Sequence, residues 1–358
     1  MPRHYFKYFC GVLFLILSQL VHGQDIHFTN FRMAPVSVNP AFTGTFKGTY
    51  RVSAIYRDQW RSIDNSSPYQ TPFISAEVNI KQGLLSESDW IAGGISFVRD
   101  RSGSLSFQQQ LTALNVGYHY PLDKDYNQVL SIGLNYGSGS QGFSVFDIRL
   151  PTSLNGGPIE NFAADENGNV NTSFTDYSLG LAYKSVLNKE GDLVRFGLTA
   201  AHITSPNISL VAVQTQNPDP MNPNPPPPAI DRRVGFDRRI TFVGQGSFMT
   251  TDKVRINPAL IFQSKSGATE LAVQGIADYL LDPKKGVVVS GGLGYRLGDA
   301  AELIGGIQLK DWKVGISYDL TLSDLTRAGG GAFELSVGYV GRIYKTPDVK
   351  PVIFCPTL

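Results

Sequence analysis

Arginine is the residue type whose placement in this sequence could do chemistry. Arg51, Arg57 and Arg61 follow the turn-like stretch NPAFTG, Arg99 and Arg101 close a later apolar segment, and Arg232, Arg233, Arg238 and Arg239 follow a proline-rich run. A guanidinium presents donors in a planar fork that matches carboxylate and phosphate. The chemistry on offer is therefore anion recognition, and Arg232, Arg233, Arg238 and Arg239 are the candidates for engaging a partner's carboxylates. Solvation at a rim or in a lumen, and contact with lipid headgroups, suit the same side chains. Covalent chemistry has no comparable signal. The sequence carries no G-x-S-x-G elbow, no Gly-rich loop followed by Lys-Ser/Thr and no H-E-x-x-H. GGLGYRLG (291–298) lies within an alternating segment and opens no helix, so it is no dinucleotide fingerprint; its glycines suit close packing along a wall. Asp165 and Glu166 adjoin in a polar stretch, and His27, His119 and His202 are scattered singly. The expectation is a non-enzymatic protein with no cofactor and no metal site.

The elements that position these arginines follow from composition and periodicity. The chain has 358 residues and a formal net charge of +1, which gives no strong field for nucleic acid. Charged residues are only 17%, below the usual quarter, while Gly numbers 37, Tyr 16 and Phe 21. That balance fits a surface that touches something other than water. Residues 1–23 read as a signal peptide: Arg3, His4 and Lys7 are basic, CGVLFLIL is a short apolar core, and Gly23 is small at the expected cleavage point. Without it one cysteine remains, Cys355, so internal disulfides are not expected.

Beyond residue 23 no helical period is sustained. Fourteen alternating segments are expected instead, near 48–57, 70–80, 90–99, 105–120, 128–137, 173–184, 192–201, 239–249, 253–263, 268–278, 286–296, 300–309, 312–319 and 331–341. Val52, Ala54 and Tyr56 share one face of the first, with Arg51, Ser53 and Arg57 opposite. Val314, Ile316 and Tyr318 face away from Gly315, Ser317 and Asp319. Such alternation fits a soluble sandwich or an outer-membrane barrel. Segment length near ten residues, an even count and tyrosines recurring at segment ends (Tyr56, Tyr118, Tyr136, Tyr183, Tyr295, Tyr318, Tyr339) favour the barrel. The fold class is thus all-β, an antiparallel transmembrane barrel spanning 48–341. An Arg on its lipid face near the midplane costs about 2–4 kcal/mol, which puts the arginines in the lumen or at the rim.

The connections give a second reading. The longest, near 138–172 and 202–238, both fall where an N-terminus in the periplasm makes them extracellular; those of the other parity are short and carry turn chemistry, such as DPKKG (282–286). The first long loop is rich in Asn, Gly and acid, and the second contains NPNPPPP, a solvated or polyproline-like stretch. Residues 24–47 form an N-terminal periplasmic or plug segment, and 342–358 a tail.

The two ends resemble the PorP/SprF family of outer-membrane proteins. At the start the likeness rests on Asn39, Pro40, Ala41 and Gly44, then Tyr56, Arg57, Gln59 and Trp60 in a strand closing Tyr-Arg-x-Gln-Trp. At the end it rests on Gly305, Gly306, Gly315, Tyr318, Asp319, Ser323, Asp324, Leu325 and Glu334, followed by a Cys-Pro tail at Cys355 and Pro356. The middle matches only in strand rhythm. The resemblance implies a non-enzymatic barrel of the type IX secretion and gliding apparatus. It would dock, help secrete and retain at the cell surface a partner with a C-terminal sorting domain, or associate with periplasmic ring lipoproteins. On that basis NPAFTG is expected as a periplasmic turn into the first strand, with Trp60 at its outer end, and Phe28, Phe31 and Met33 as residues that could fold into the barrel and plug it. The alternative function is a transporter or porin for small or hydrophobic solutes.

Overall fold

Fourteen alternating segments with no edge to spare can close on themselves, and in a computed structural model they do. The structure describes residues 27–61, 69–82, 84–86, 88–103, 107–144, 169–210, 235–323 and 331–343. The strands are β1 (Tyr50–Gln59), β2 (Tyr69–Gln82), β3 (Trp90–Ser102), β4 (Phe107–Pro121), β5 (Gln128–Ser144), β6 (Asn169–Val186), β7 (Leu193–Ala201), β8 (Arg239–Thr251), β9 (Val254–Lys265), β10 (Ala268–Asp282), β11 (Val287–Arg296), β12 (Ala300–Leu309), β13 (Trp312–Thr321) and β14 (Ala332–Gly341). Each pairs antiparallel with its chain neighbours, and β1 closes the barrel against β14 from Tyr50↔Gly341 to Gln59↔Ala332. Closure joins the first and last strands, so neither is left as a free sheet edge, which is what a wall surrounded by lipid requires.

The side chains are inside out relative to a soluble barrel. Outward positions are apolar and exposed, with Ile316 at 51%, Leu181 at 52% and Leu293 at 66%. Inward positions are polar and buried, among them Ser75, Asn115, Ser131, Gln274 and Ser317. Outward aromatics gather at both ends of the wall. Tyr120, Tyr279 and Trp312 lie toward the short turns, and Tyr56, Tyr295 and Tyr318 toward the other end. These are the two interfacial girdles of an outer-membrane barrel. Leu181 stands on the lipid face of β6 between Tyr177 and Tyr183. Leu181→Arg is expected to cost about 2–4 kcal/mol and Leu181→Phe little, read from urea unfolding in phospholipid vesicles.

Every expected strand is present, and the main difference is length. β5 and β6 keep pairing from Ser138↔Thr175 out to Ser144↔Asn169, through residues that composition assigned to the first long loop. A Gly- and Ser-rich stretch such as GSGSQ (137–141) can still form strand when its partner supplies the ladder, as β6 does here. The three register shifts, at Asn79/Lys81, Met249/Thr251 and Leu280/Asp282, all fall at the short-turn rim, where bulges commonly end pairing.

At that rim Asp89 organises the connection from β2 to β3. Its carboxylate accepts from the backbone N–H groups of Leu84, Leu85 and Ser86 and from the Tyr118 hydroxyl at 2.6 Å. Burial pushes this carboxyl up; the Tyr118 hydroxyl and the three N–H donors outweigh it and hold it at about 2. A depressed carboxyl stabilises the folded form fully above its ordinary value of about 3.9 and loses that contribution as pH falls through the folded one. Amide exchange of Leu84–Ser86 should therefore stay protected down to about pH 3 and open toward pH 2. In Asp89→Asn it should be open already at neutral pH.

Candidate functional site

The lumen holds the stretch from His27 to Gly44. Phe28, Phe31, Ala34, Val36, Ala41 and Phe42 are all buried against the inner wall. Two one-turn 3-10 helices, Pro35–Ser37 and Pro40–Phe42, shape this plug, each with a proline at its start, a position where the missing N–H costs nothing. Asn39 caps the second: its Oδ1 accepts from Ala41 N at 2.8 Å. Its Nδ2 donates to the backbone oxygens of Leu181 (3.0 Å) and Leu198 (3.3 Å) on the wall.

This corrects the expectation for NPAFTG. It is no turn at the periplasmic rim but a buried knuckle seated deep in the lumen. The seat is made of wall glycines. A Cβ on Gly133 would strike the Pro40–Ala41 peptide, one on Gly180 would strike the Asn39 side chain, and one on Gly197 would lie 2.7 Å from Asn39 Nδ2. Gly44 leaves the knuckle at φ +78°, where a Cβ would run into Ala92 and the Asn79 side-chain oxygen. Its N–H donates to Glu77 Oε2 at 3.0 Å, and Glu77 also takes the Arg51 guanidinium in a two-point pair. Below it, His119 bridges the Thr43 backbone oxygen and Ser131 Oγ, both at 2.7 Å, under a stacked Trp90.

The upper part of the plug is held by charge. Arg57 of β1 and Arg296 of β11 face Glu302 of β12, Asp319 of β13 and Glu334 of β14, all buried. Arg57 bonds Glu334 with Nη1 and Asp319 with Nη2 (3.0 Å). Arg296 Nη2 donates to Glu302 (3.0 Å) and Asp319 (3.2 Å), and its Nη1 to Asp299 (3.0 Å). The carboxylates that remain available grip the plug. Thr29 N and Asn30 N donate to the two oxygens of Glu334 at 2.8 and 3.0 Å. Thr29 Oγ1 donates to Asp319 at 2.6 Å, and Gln274 Nε2 bridges Thr29 O and Glu302 at 2.8 and 2.7 Å. Cations and acids gathered like this would be costly to bury unpaired; here six strands, with β10 giving Gln274, supply the partners for one short stretch of plug.

Of the residues singled out in the sequence, Arg57, Asp319 and Glu334 meet in this network. Tyr56 and Tyr318 face outward, and Gln59 ends β1 between Tyr69 and Ala332. Trp60 adopts φ 60° and packs edge-on to Tyr69 at 4.7 Å. Ser323 N donates to the Asp299 backbone oxygen at 3.2 Å. Arg232, Arg233, Asp324, Leu325, the leader and the Cys-Pro tail lie outside the described residues. Arg238 donates to the Ile203 backbone oxygen at 3.1 Å, and Arg239 lines a small lumen cavity with Asp176 and His202. Arg51 and Arg57 are each occupied by acids, so the described arginines among those the sequence brought forward form no shared lining. Thr29, Gln274, Arg296 and Glu302 were not singled out. For Gln274, Arg296 and Glu302 the signal is a charge or amide at an inward position of a strand whose outward neighbours are apolar; Thr29 lies in the plug and carries none.

A closed, inside-out barrel with girdles at both ends and its own N-terminal segment clamped in the lumen is an outer-membrane β-barrel of the plugged kind. The chain belongs to the type IX secretion system membrane protein PorP/SprF family, which matches residues 20–339. No curated protein matches the sequence. Among solved structures it is similar to the deltaS2S3 mutant of the TodX monoaromatic hydrocarbon channel, with TM-score 0.50, 8% identity and coverage of 85% of this chain and 92% of that one. It is also similar to the Ralstonia pickettii toluene transporter TbuX (TM-score 0.48, 12% identity, 87% and 94%) and to a Pseudomonas aeruginosa FadL homologue (0.46, 11%, 84% and 92%). At such identities the likeness is one of fold.

Proposed function

We propose that this barrel docks an exported partner bearing a C-terminal sorting domain and retains it at the cell surface, without catalysing a reaction. The observation that carries the reading is the plug: Arg57, Arg296, Glu302, Asp319 and Glu334 are committed to holding Thr29 and Asn30 in place. A lumen so occupied suits a dock better than an open diffusion pore. Family membership supports work within the type IX machine. The long connections after β5 and β7 leave the same end of the barrel, which the docking reading assigns to the outside, with ring lipoproteins as partners for the other end. A second reading, a channel for small hydrophobic solutes, draws on a cavity of about 930 Å³ at the short-turn end lined partly by Phe42, Phe46, Trp90 and Tyr126. Mild-detergent capture of the protein from its native outer membranes, with mass spectrometry of its companions, separates the two. Recovery of a sorting-domain protein or ring lipoproteins is expected. A companion-free barrel that conducts ions in a planar bilayer would overturn docking in favour of the channel.

A further inference from the structure

At the short-turn end of the lumen two cavities flank plug residues Thr45, Phe46 and Lys47. One is about 930 Å³ and mainly aromatic and aliphatic. The other is about 520 Å³, with Arg32, Lys47, Arg195 and Lys313 on its lining and Asp311 as the sole carboxylate among the described residues there. They share Lys47, Leu193 and Arg195, so they meet around two basic side chains. Lys184 adds a further cation to the larger one. Elsewhere in this lumen buried charge is matched: Arg51 has Glu77, and Arg57 and Arg296 have five acids between them. Here it is matched only in part. Arg32, Lys47, Lys184, Arg195 and Lys313 make no ion pair among the described residues, and Arg195 has only the Phe42 ring, 5.3 Å from its guanidinium carbon. Asp278, which shares a smaller cavity with Arg32 and Lys313, and Asp311 offset some of this charge. Cations in such surplus in a concave, partly apolar site are arranged for an anion supplied from outside.

We propose that these two cavities form one receiving site for an acidic polypeptide segment. Its carboxylates would sit on Arg32, Arg195 and Lys313, and an apolar side chain would enter the aromatic cavity beside Phe46 and Trp90. The barrel wall decides against a bilayer lipid: at the end where these cavities lie every strand is paired to both neighbours, β1 to β14 included, so no lateral opening there admits an acyl chain from the membrane. Volume decides against a lone phosphate, since the larger cavity has the size of sites that enclose whole ligands. The inference goes beyond docking at the cell surface, because it concerns the opposite end of the lumen from the long connections.

The test uses the purified full-length barrel in detergent and a fluorescein-labelled peptide of repeated Asp-Phe-Gly units, read by fluorescence anisotropy. Saturable binding that weakens with salt is expected, with none for the Lys-Phe-Gly counterpart. Arg195→Gln should weaken it by roughly tenfold or more. Lys313→Gln, at an exposed lumen position, should also weaken it and keeps the test open if Arg195→Gln fails to fold, as judged by thermal melting. Equal binding to wild type and both folded variants would overturn the proposal. So would equal binding of an Asp-Ser-Gly peptide displaced by inorganic phosphate, which would make the site a plain anion well. Preference for short-chain phosphatidylglycerol over the peptide would make it a headgroup site and overturn it as well. Because the isolated barrel is used, the outcome does not depend on what native membranes yield.

Discussion

Gly180→Val should expel the plug's knuckle while leaving the wall standing. The new Cβ would overlap the Asn39 side-chain oxygen and lie 2.9 Å from Pro40 Cδ and 3.0 Å from Ala41 N. Neither side can yield cheaply, because Asn39 is pinned to Leu181 and Leu198 and caps its own turn. Overpacking of this kind costs about 1–3 kcal/mol in a well-packed core, and loss of the Asn39 bonds adds to it. Valine itself suits a strand, so the relief is for residues 38–44 to leave. Trypsin should then cut at Lys47 or Arg32 in the variant and not in the wild type, and single-channel conductance should rise. An unchanged tryptic pattern would show that the wall, not the knuckle, gives way. Asn39→Ala in the Gly180→Val background removes the overlapping oxygen and should restore part of the protection.

Arg57→Met should be the most destabilising single change in the charged network. Methionine fills the stem's volume but leaves Glu334 and Asp319 with one guanidinium fewer in a buried setting. Breaking one side of a buried pair typically costs about 3–5 kcal/mol, and the same carboxylates hold Thr29 and Asn30. The expected result is a lower urea midpoint together with tryptic exposure of the plug. Arg57→Lys should recover little, since one ammonium cannot fork between two carboxylates. Arg99→Ala, which loses an exposed hydrogen bond to Gln108, is the control that should change neither reading. If Arg57→Met unfolded at the wild-type midpoint, the network would have no part in holding the plug.

Much of the wall is legible in the sequence because a strand's period is local. Phe333, Leu335 and Val337 against Glu334 and Ser336 announce both a strand and its two environments, and β14 follows that reading residue by residue. The plug is legible only in kind. Asn39, Pro40 and Gly44 read as a turn, and they form one, but where a turn is seated depends on what it meets. The seat is assembled from Gly133, Gly180 and Gly197 on β5, β6 and β7, and nothing local ties those glycines to Asn39. The charged clamp is similarly dispersed: Arg57, Arg296, Glu302, Asp319 and Glu334 come from five strands. Their common mark, a charge at an inward position, is present in each strand and meaningless until the barrel closes. The arginines that the sequence did bring forward as a group around 232–239 separate in space or lie beyond the described residues, because adjacency along a loop does not set a shared surface.

The bond from Thr29 to Glu334 joins residues 305 positions apart, nearly the full length of the chain. Loop closure over such a span comes late in folding. The acids that grip the plug arrive with β12, β13 and β14, the last strands to be made, and Glu334 can reach Thr29 only once β14 lies beside β1. Sealing of the lumen is therefore a final step of assembly. A chain whose seam between β1 and β14 is still open lacks the clamp, and it carries its unsatisfied acids and loose N-terminal segment as marks by which an unfinished barrel differs from a finished one.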